Sequence, residues 1–366
     1  SVVDSAHASV RTGRLPFMDG VRGLAALLIL VRHNEEFWPG EPFHTYLAVD
    51  VFFLLSGYVI SRAYGDRLRS GALTAGRFMA IRFIRLYPMF LLSALWAGSY
   101  FVASMLHRGE FGTGPLLTVL FMLFMLPVNL VGGAWLFPLN VPYWSLFFEI
   151  VVNAFYALVV RRWSSRTILA IVGVAAAVLA VDGLRRGGLD LGFKWNVLSI
   201  TAGLARATFG ILLGAWLERH AGAWRLTRAL RAHPWLALAA LVLIMVSPGA
   251  GAWNGLLDAV LVVGVLPVCV LALDALPRDA TVGRWLMALG AASYPLYVLH
   301  APAGIIARRL GAAWMTTHPL LVGIVYVLVM LALCIFLERR IDEPVRRRLQ
   351  ARFGGGAGRT DSGAAG

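Results

Sequence analysis

Residues 17–33 read FMDGVRGLAALLILVRH, an apolar run from Leu24 to Val31 with Asp19 and Arg22 before it and Arg32 and His33 after it. The run lacks a small-residue cleavage site, so it reads as a retained first membrane helix and not as a removable leader. Arg22 and His33 are eleven residues apart, about three helical turns, and so share one face at a separation of roughly 16 Å along the axis. Asp19 lies one turn from Arg22 on nearly the same face. A charged side chain at mid-membrane costs at least ~2.5–3.5 kcal/mol and needs a partner or a polar cavity. This polar stripe must therefore face the interior of a larger bundle.

The rest of the chain supplies such a bundle. Its 366 residues are 59% hydrophobic and 14% charged, with mean hydropathy +0.74. A soluble domain carries about 25% charged residues, so this composition excludes a disordered chain and disfavours a water-soluble enzyme. Further apolar stretches fall near 45–62, 83–106, 115–131, 143–160, 167–182, 197–217, 234–247, 255–274, 291–307 and 318–337. Strand-type alternation is absent, which leaves helices as the spanning structure.

Arginine placement orients the segments. Connections 62–85, 161–166, 219–231 and 339–352 are strongly basic, whereas 34–44, 132–142 and 248–254 carry no Lys or Arg. The positive-inside rule puts the first group in the cytoplasm and the second outside. Segment 83–106 then ends outside, where 143–160 must begin, so 115–131 is expected to enter and leave on one face as a re-entrant helix. The expected fold is an all-α integral membrane protein with about ten crossings and both termini cytoplasmic.

The net charge of +14 accompanies arginines set between apolar segments, the pattern of membrane-protein loops; it argues against nucleic-acid binding. Cys269 and Cys334 sit in apolar runs without partners at zinc spacing, so neither a disulfide nor a metal site is expected. Asp50, Glu149 and His300 are further ionisable residues inside apolar segments. With the orientation above, His33, Asp50, Glu149 and His300 are expected at one level in the outer half of the bundle. A histidine with a carboxylate neighbour suits general-base chemistry. The same buried ionisable groups would also serve a proton-coupled transporter of a glycan precursor or small organic acid.

Several longer patterns carry a resemblance. Met18 to Ala26 followed by His33 resembles the opening of membrane acyltransferase family 3, in which a basic residue precedes a histidine by eleven positions. Val49-Asp50-Val51-Phe52-Phe53-Leu54-Leu55-Ser56-Gly57 is similar to that family's VDxFFxLSGF signature. Arg82-Phe83-Ile84-Arg85-Leu86-Tyr87-Pro88 resembles its RxxRxxP element. Tyr143 to Glu149, Ser293 to Pro302 and Glu338 to Pro344 resemble its WSLxxE, SYPLYLLHxP and E-x5-P elements, in the family's order. Ile150 stands where many members have a second acidic residue.

The resemblance implies a domain over 17–344, with an N-terminal cytoplasmic segment at 1–16 and a basic, then glycine-rich cytoplasmic tail at 345–366. It implies an O-acyltransferase of the bacterial inner membrane that moves an acyl group, commonly acetyl, from cytoplasmic acyl-CoA to a hydroxyl of a carbohydrate or lipid-linked glycan. Membrane lipids surround it, and an extracytoplasmic partner protein is a candidate where the acceptor is large. On this reading His33 is the general base, Glu149 orients it and Arg22 positions donor or oxyanion. Arg82 and Arg85 bind CoA phosphates, with Asp19, Ser56 and His300 as further donor-binding candidates. Gly20, Gly23 and Gly57 are expected at close helix contacts, and Trp38, Trp144 and Trp314 in an aromatic belt.

Overall fold

Polar caps and left-handed glycines punctuate the apolar runs. The side chains of Thr74, Ser164 and Asn196 accept hydrogen bonds from the amides of Arg77, Thr167 and Ser199, and each begins a long helix. Gly109 (φ +70°) and Gly187 (φ +73°) end two of them in a conformation that disfavours a side chain. The computed structural model describes residues 16–38, 43–275 and 280–353. Most of the expected N-terminal segment, and the tail from Gly354, lie outside the described residues.

The described chain is helical, with no strand beyond an isolated bridge between Trp135 and Lys194. In order come α1 (Pro16–Arg32), α2 (His44–Ser70), α3 (Ala75–Arg108), α4 (Thr113–Leu123) and α5 (Tyr143–Val159). They are followed by α6 (Ser165–Arg186), α7 (Val197–Ala223), α8 (Arg225–Arg231), α9 (Pro234–Val246) and α10 (Gly251–Leu273). The last are α11 (Ala280–Leu310), α12 (Ala312–Met315) and α13 (Pro319–Phe353).

Six described helices are long and apolar enough to cross a membrane, or up to seven if α8 and α9, which meet at 82°, form one broken span. Large apolar side chains point outward on α6, α9 and α13, for example Val174 (66% exposed), Leu243 (66%) and Leu328 (61%). So wide an apolar surface is stable only against lipid. The chain is thus a multi-pass membrane protein. Helix α4 has 11 residues and a length of about 17 Å, short of a hydrocarbon core of about 30 Å.

Glycines set close helix contacts. A methyl group on Gly23 of α1 would sit 2.4 Å from the Leu289 carbonyl oxygen of α11, and one on Gly57 of α2 would sit 1.9 Å from the Ile211 carbonyl oxygen of α7. Gly20 likewise meets Leu286. The contacts rise together along both chains: Gly20 with Leu286, Gly23 with Leu289 and Gly304 with Asn34. Helices α1 and α11 therefore run side by side in the same direction. Asp50 with Arg206, Phe53 with Gly210 and Ser61 with Glu218 show the same for α2 and α7.

Candidate functional site

The polar face of α1 borders three cavities in succession. Nearest its start is a small one of about 30 Å³, walled by Asp19, Arg22, Arg85, Glu338, Asp342 and Arg346. Arg346 pairs there with Glu338 and Asp342, on the turn where α13 widens to a π-helix. Arg85 is half-buried at this cavity.

One turn further along α1 is a second pocket of about 30 Å³ among Arg22, Phe52, Leu86, Glu149, Tyr294 and Tyr297. The Glu149 carboxylate accepts two hydrogen bonds at one oxygen, from Arg82 Nη2 at 2.6 Å and Ser56 Oγ at 2.6 Å. All three partners are buried. Arg22 is 9% exposed, its Nε has no hydrogen-bond partner, and its guanidinium carbon lies 6.0 Å from the centre of the Phe52 ring. A buried donor of this kind is costly unless something accepts from it.

At the far end of α1 the bundle opens into a cavity of about 560 Å³. His33 lies exposed at its wall. The His33 Nδ1 is 2.9 Å from the Ile29 carbonyl oxygen, which can only accept, so Nδ1 carries the hydrogen. In the neutral ring, Nε2 then holds a free lone pair. The His300 ring lies behind it, 4.8 Å between centroids, buried, with its own Nδ1 2.8 Å from the Tyr297 carbonyl oxygen. Trp135, Trp144, Phe193 and Tyr46 give the cavity aromatic walls, and an Arg32–Asp190 ion pair of 2.7 Å crosses its edge.

Several placements differ from the sequence reading. Glu149 does not orient His33. It sits one turn deeper than Ser145 on α5, within reach of Arg82, and the Ile29 carbonyl fixes the His33 ring instead. Arg82 is not presented to a donor phosphate: it is 5% exposed and held by Glu149. Asp50 does not join His33 either, because the Arg206 guanidinium grips both its oxygens at 3.0 and 2.6 Å. Ser56 is spent on Glu149, and Trp144 is 5% exposed beneath the Arg206 guanidinium, not in a belt at the lipid interface. Asp19 and Arg85 share the first cavity, and His300 backs His33 without facing the donor end.

Arg206 is the residue the sequence reading missed. An arginine within the apolar run 197–217 was the available signal. A second network, equally unread, holds the loop that bears Asp190: Asp258 on α10 accepts from Tyr46 Oη at 2.6 Å and from the Leu189 amide at 2.8 Å. His44 completes it through Asn254 at 2.9 Å. Among the described residues, no group of three or more His, Cys, Asp and Glu side chains is placed to hold a metal ion.

The family model for an acyltransferase domain matches residues 15–339. Over 187 residues the chain is 40% identical to "Protein 2 in picA locus" of Rhizobium radiobacter, covering 46% of this chain and 94% of that protein. Over 190 residues it is 30% identical to the acyltransferase MdmB of Streptomyces mycarofaciens, covering 47% of this chain and 46% of that one. No solved structure matches.

Proposed function

Because this chain belongs to the acyltransferase-3 domain family, we propose that it moves a short acyl group from cytoplasmic acyl-CoA to a hydroxyl of a carbohydrate or lipid-linked glycan acceptor in the outer cavity. The observation that carries this reading is His33, which lies at the wall of that cavity with Nδ1 committed to a backbone carbonyl and Nε2 free. The acceptor oxygen attacks the thioester carbon while His33 Nε2 takes the hydroxyl proton. Collapse of the tetrahedral adduct breaks the C–S bond, and the departing thiolate recovers that proton as CoA thiol. Arg22, with its unpartnered Nε, suits the thioester carbonyl on its way in.

The parallel run of α2 and α7 supports the ten-crossing arrangement. An odd number of crossings must separate two parallel spans, and α3, α5 and α6 provide three only if α4 does not cross. The start of α1 and the end of α13 then face the cytoplasm, and the first cavity opens towards it. The inner membrane of a bacterium is the setting this topology and the relatives' bacterial origin support.

Incubation of the purified protein with radiolabelled acetyl-CoA and candidate glycan acceptors tests the reading. Label is expected on the acceptor with stoichiometric release of CoA thiol. Movement of acceptor across proteoliposomes with no thioester consumed would overturn it in favour of transport. Arg85, without the carboxylate partner that holds Arg82, is the arginine best placed for a donor phosphate. Arg85→Gln is expected to raise the KM for acyl-CoA about tenfold and leave the acceptor KM within about twofold, as removal of one charge-assisted hydrogen bond predicts. Equal rises in both would remove Arg85 from donor binding.

A further inference from the structure

The inner pocket and the outer cavity share one wall, Tyr297. Its hydroxyl lies 2.5 Å from Ser145 Oγ and donates to the Pro142 carbonyl at 3.1 Å, so the α11 side chain is tied to the first turn of α5. Phe52 packs edge-on against the ring, 5.4 Å between centroids. On the inner side lies the unpartnered Arg22 Nε, and on the outer side lies His33. Those two residues are separated by roughly 16 Å along α1, too far for one acyl carbon to touch both. A thioester whose carbonyl rests at Arg22 must therefore pass Tyr297 to reach His33.

We propose that Tyr297, latched to Ser145 and Pro142, is the partition between donor pocket and acceptor cavity, and that with Phe52 it sets the length of acyl group the enzyme passes. This rests on the acyl-transfer reading above. The pocket of about 30 Å³ behind Tyr297 accommodates a methyl-sized group beside Arg22. Longer chains meet the Phe52 and Tyr297 rings. The same partition keeps cavity water from the thioester. With the partition removed, a water oxygen bonds to the acyl carbon in place of the acceptor, the C–S bond breaks, and the products are the free acid and CoA thiol.

The experiment follows CoA thiol release by the full-length protein in detergent, without acceptor, from acetyl-, propionyl- and butyryl-CoA. Tyr297→Ala, which removes both the latch and the ring, is expected to raise acceptor-independent hydrolysis of acetyl-CoA about tenfold. It is also expected to narrow the preference for acetyl over butyryl transfer. Tyr297→Phe keeps the ring and removes only the latch; it should raise hydrolysis while keeping the acyl-length profile, and it serves alone if the alanine variant does not fold. Folded variants that hydrolyse and select like wild type overturn the partition. Wild-type protein that consumes no thioester with any acceptor overturns the transfer reading itself, a separate result.

Discussion

His33→Ala is expected to lower the acyl-transfer rate by about 10²–10⁴-fold, the usual contribution of a positioned general base. The folded protein should survive, because the ring lies exposed at a cavity wall and makes one hydrogen bond, to the carbonyl a turn behind it on its own helix. The loss should appear in kcat with the KM for acyl-CoA nearly unchanged, since the donor end lies some 16 Å away. Stopped-assay acetyl transfer on detergent-purified variant, beside its size-exclusion profile, makes the measurement. Turnover near wild type would remove His33 from the chemistry. His300→Phe gives a useful contrast: it keeps a ring behind His33 and should cost far less activity than the loss of His33.

The second large effect is on stability. Arg206→Leu leaves the Asp50 carboxylate buried at 2% exposure without its bidentate partner. Breaking a buried pair in this way costs about 3–5 kcal/mol, and the Arg206 bonds to the Leu191 and Tyr46 carbonyls go with it. The variant should be recovered in low yield with a markedly lower thermal transition in detergent. Combining it with Asp50→Leu removes the stranded charge and should restore much of the lost stability. A single variant as stable as wild type would show that water or another cation reaches Asp50.

Much of the architecture follows from patterns local in sequence. The segment edges at Thr74, Ser164 and Asn196 are capping residues, and the apolar runs between them are long enough that lipid is their natural solvent. The glycines of α1 and α2 were legible for the same reason: an isolated small residue in a membrane helix marks a close neighbour. Glu149 shows where that legibility stops. Its depth could be estimated by counting residues, but its partner is Arg82, 67 positions away on a helix whose rotation no local pattern records.

Sequence alone determined that this chain is a helical membrane protein of the acyltransferase-3 family, that α1 bears Asp19, Arg22 and His33 on one interior face, and that His33 stands at the far end of that face. The family follows from its ordered motifs; the rest are consequences of helical period and of the cost of charge in hydrocarbon, both fixed residue by residue. Tertiary structure decided which ions meet: Glu149 with Arg82 and Asp50 with Arg206, while among the described residues His33 is bonded to a backbone carbonyl and forms no ion pair. A buried charge requires a counter-charge but does not specify which one. The choice falls to the helix that packing rotates into reach, and for Asp50 and Arg206 the glycine contacts between α2 and α7 set that rotation.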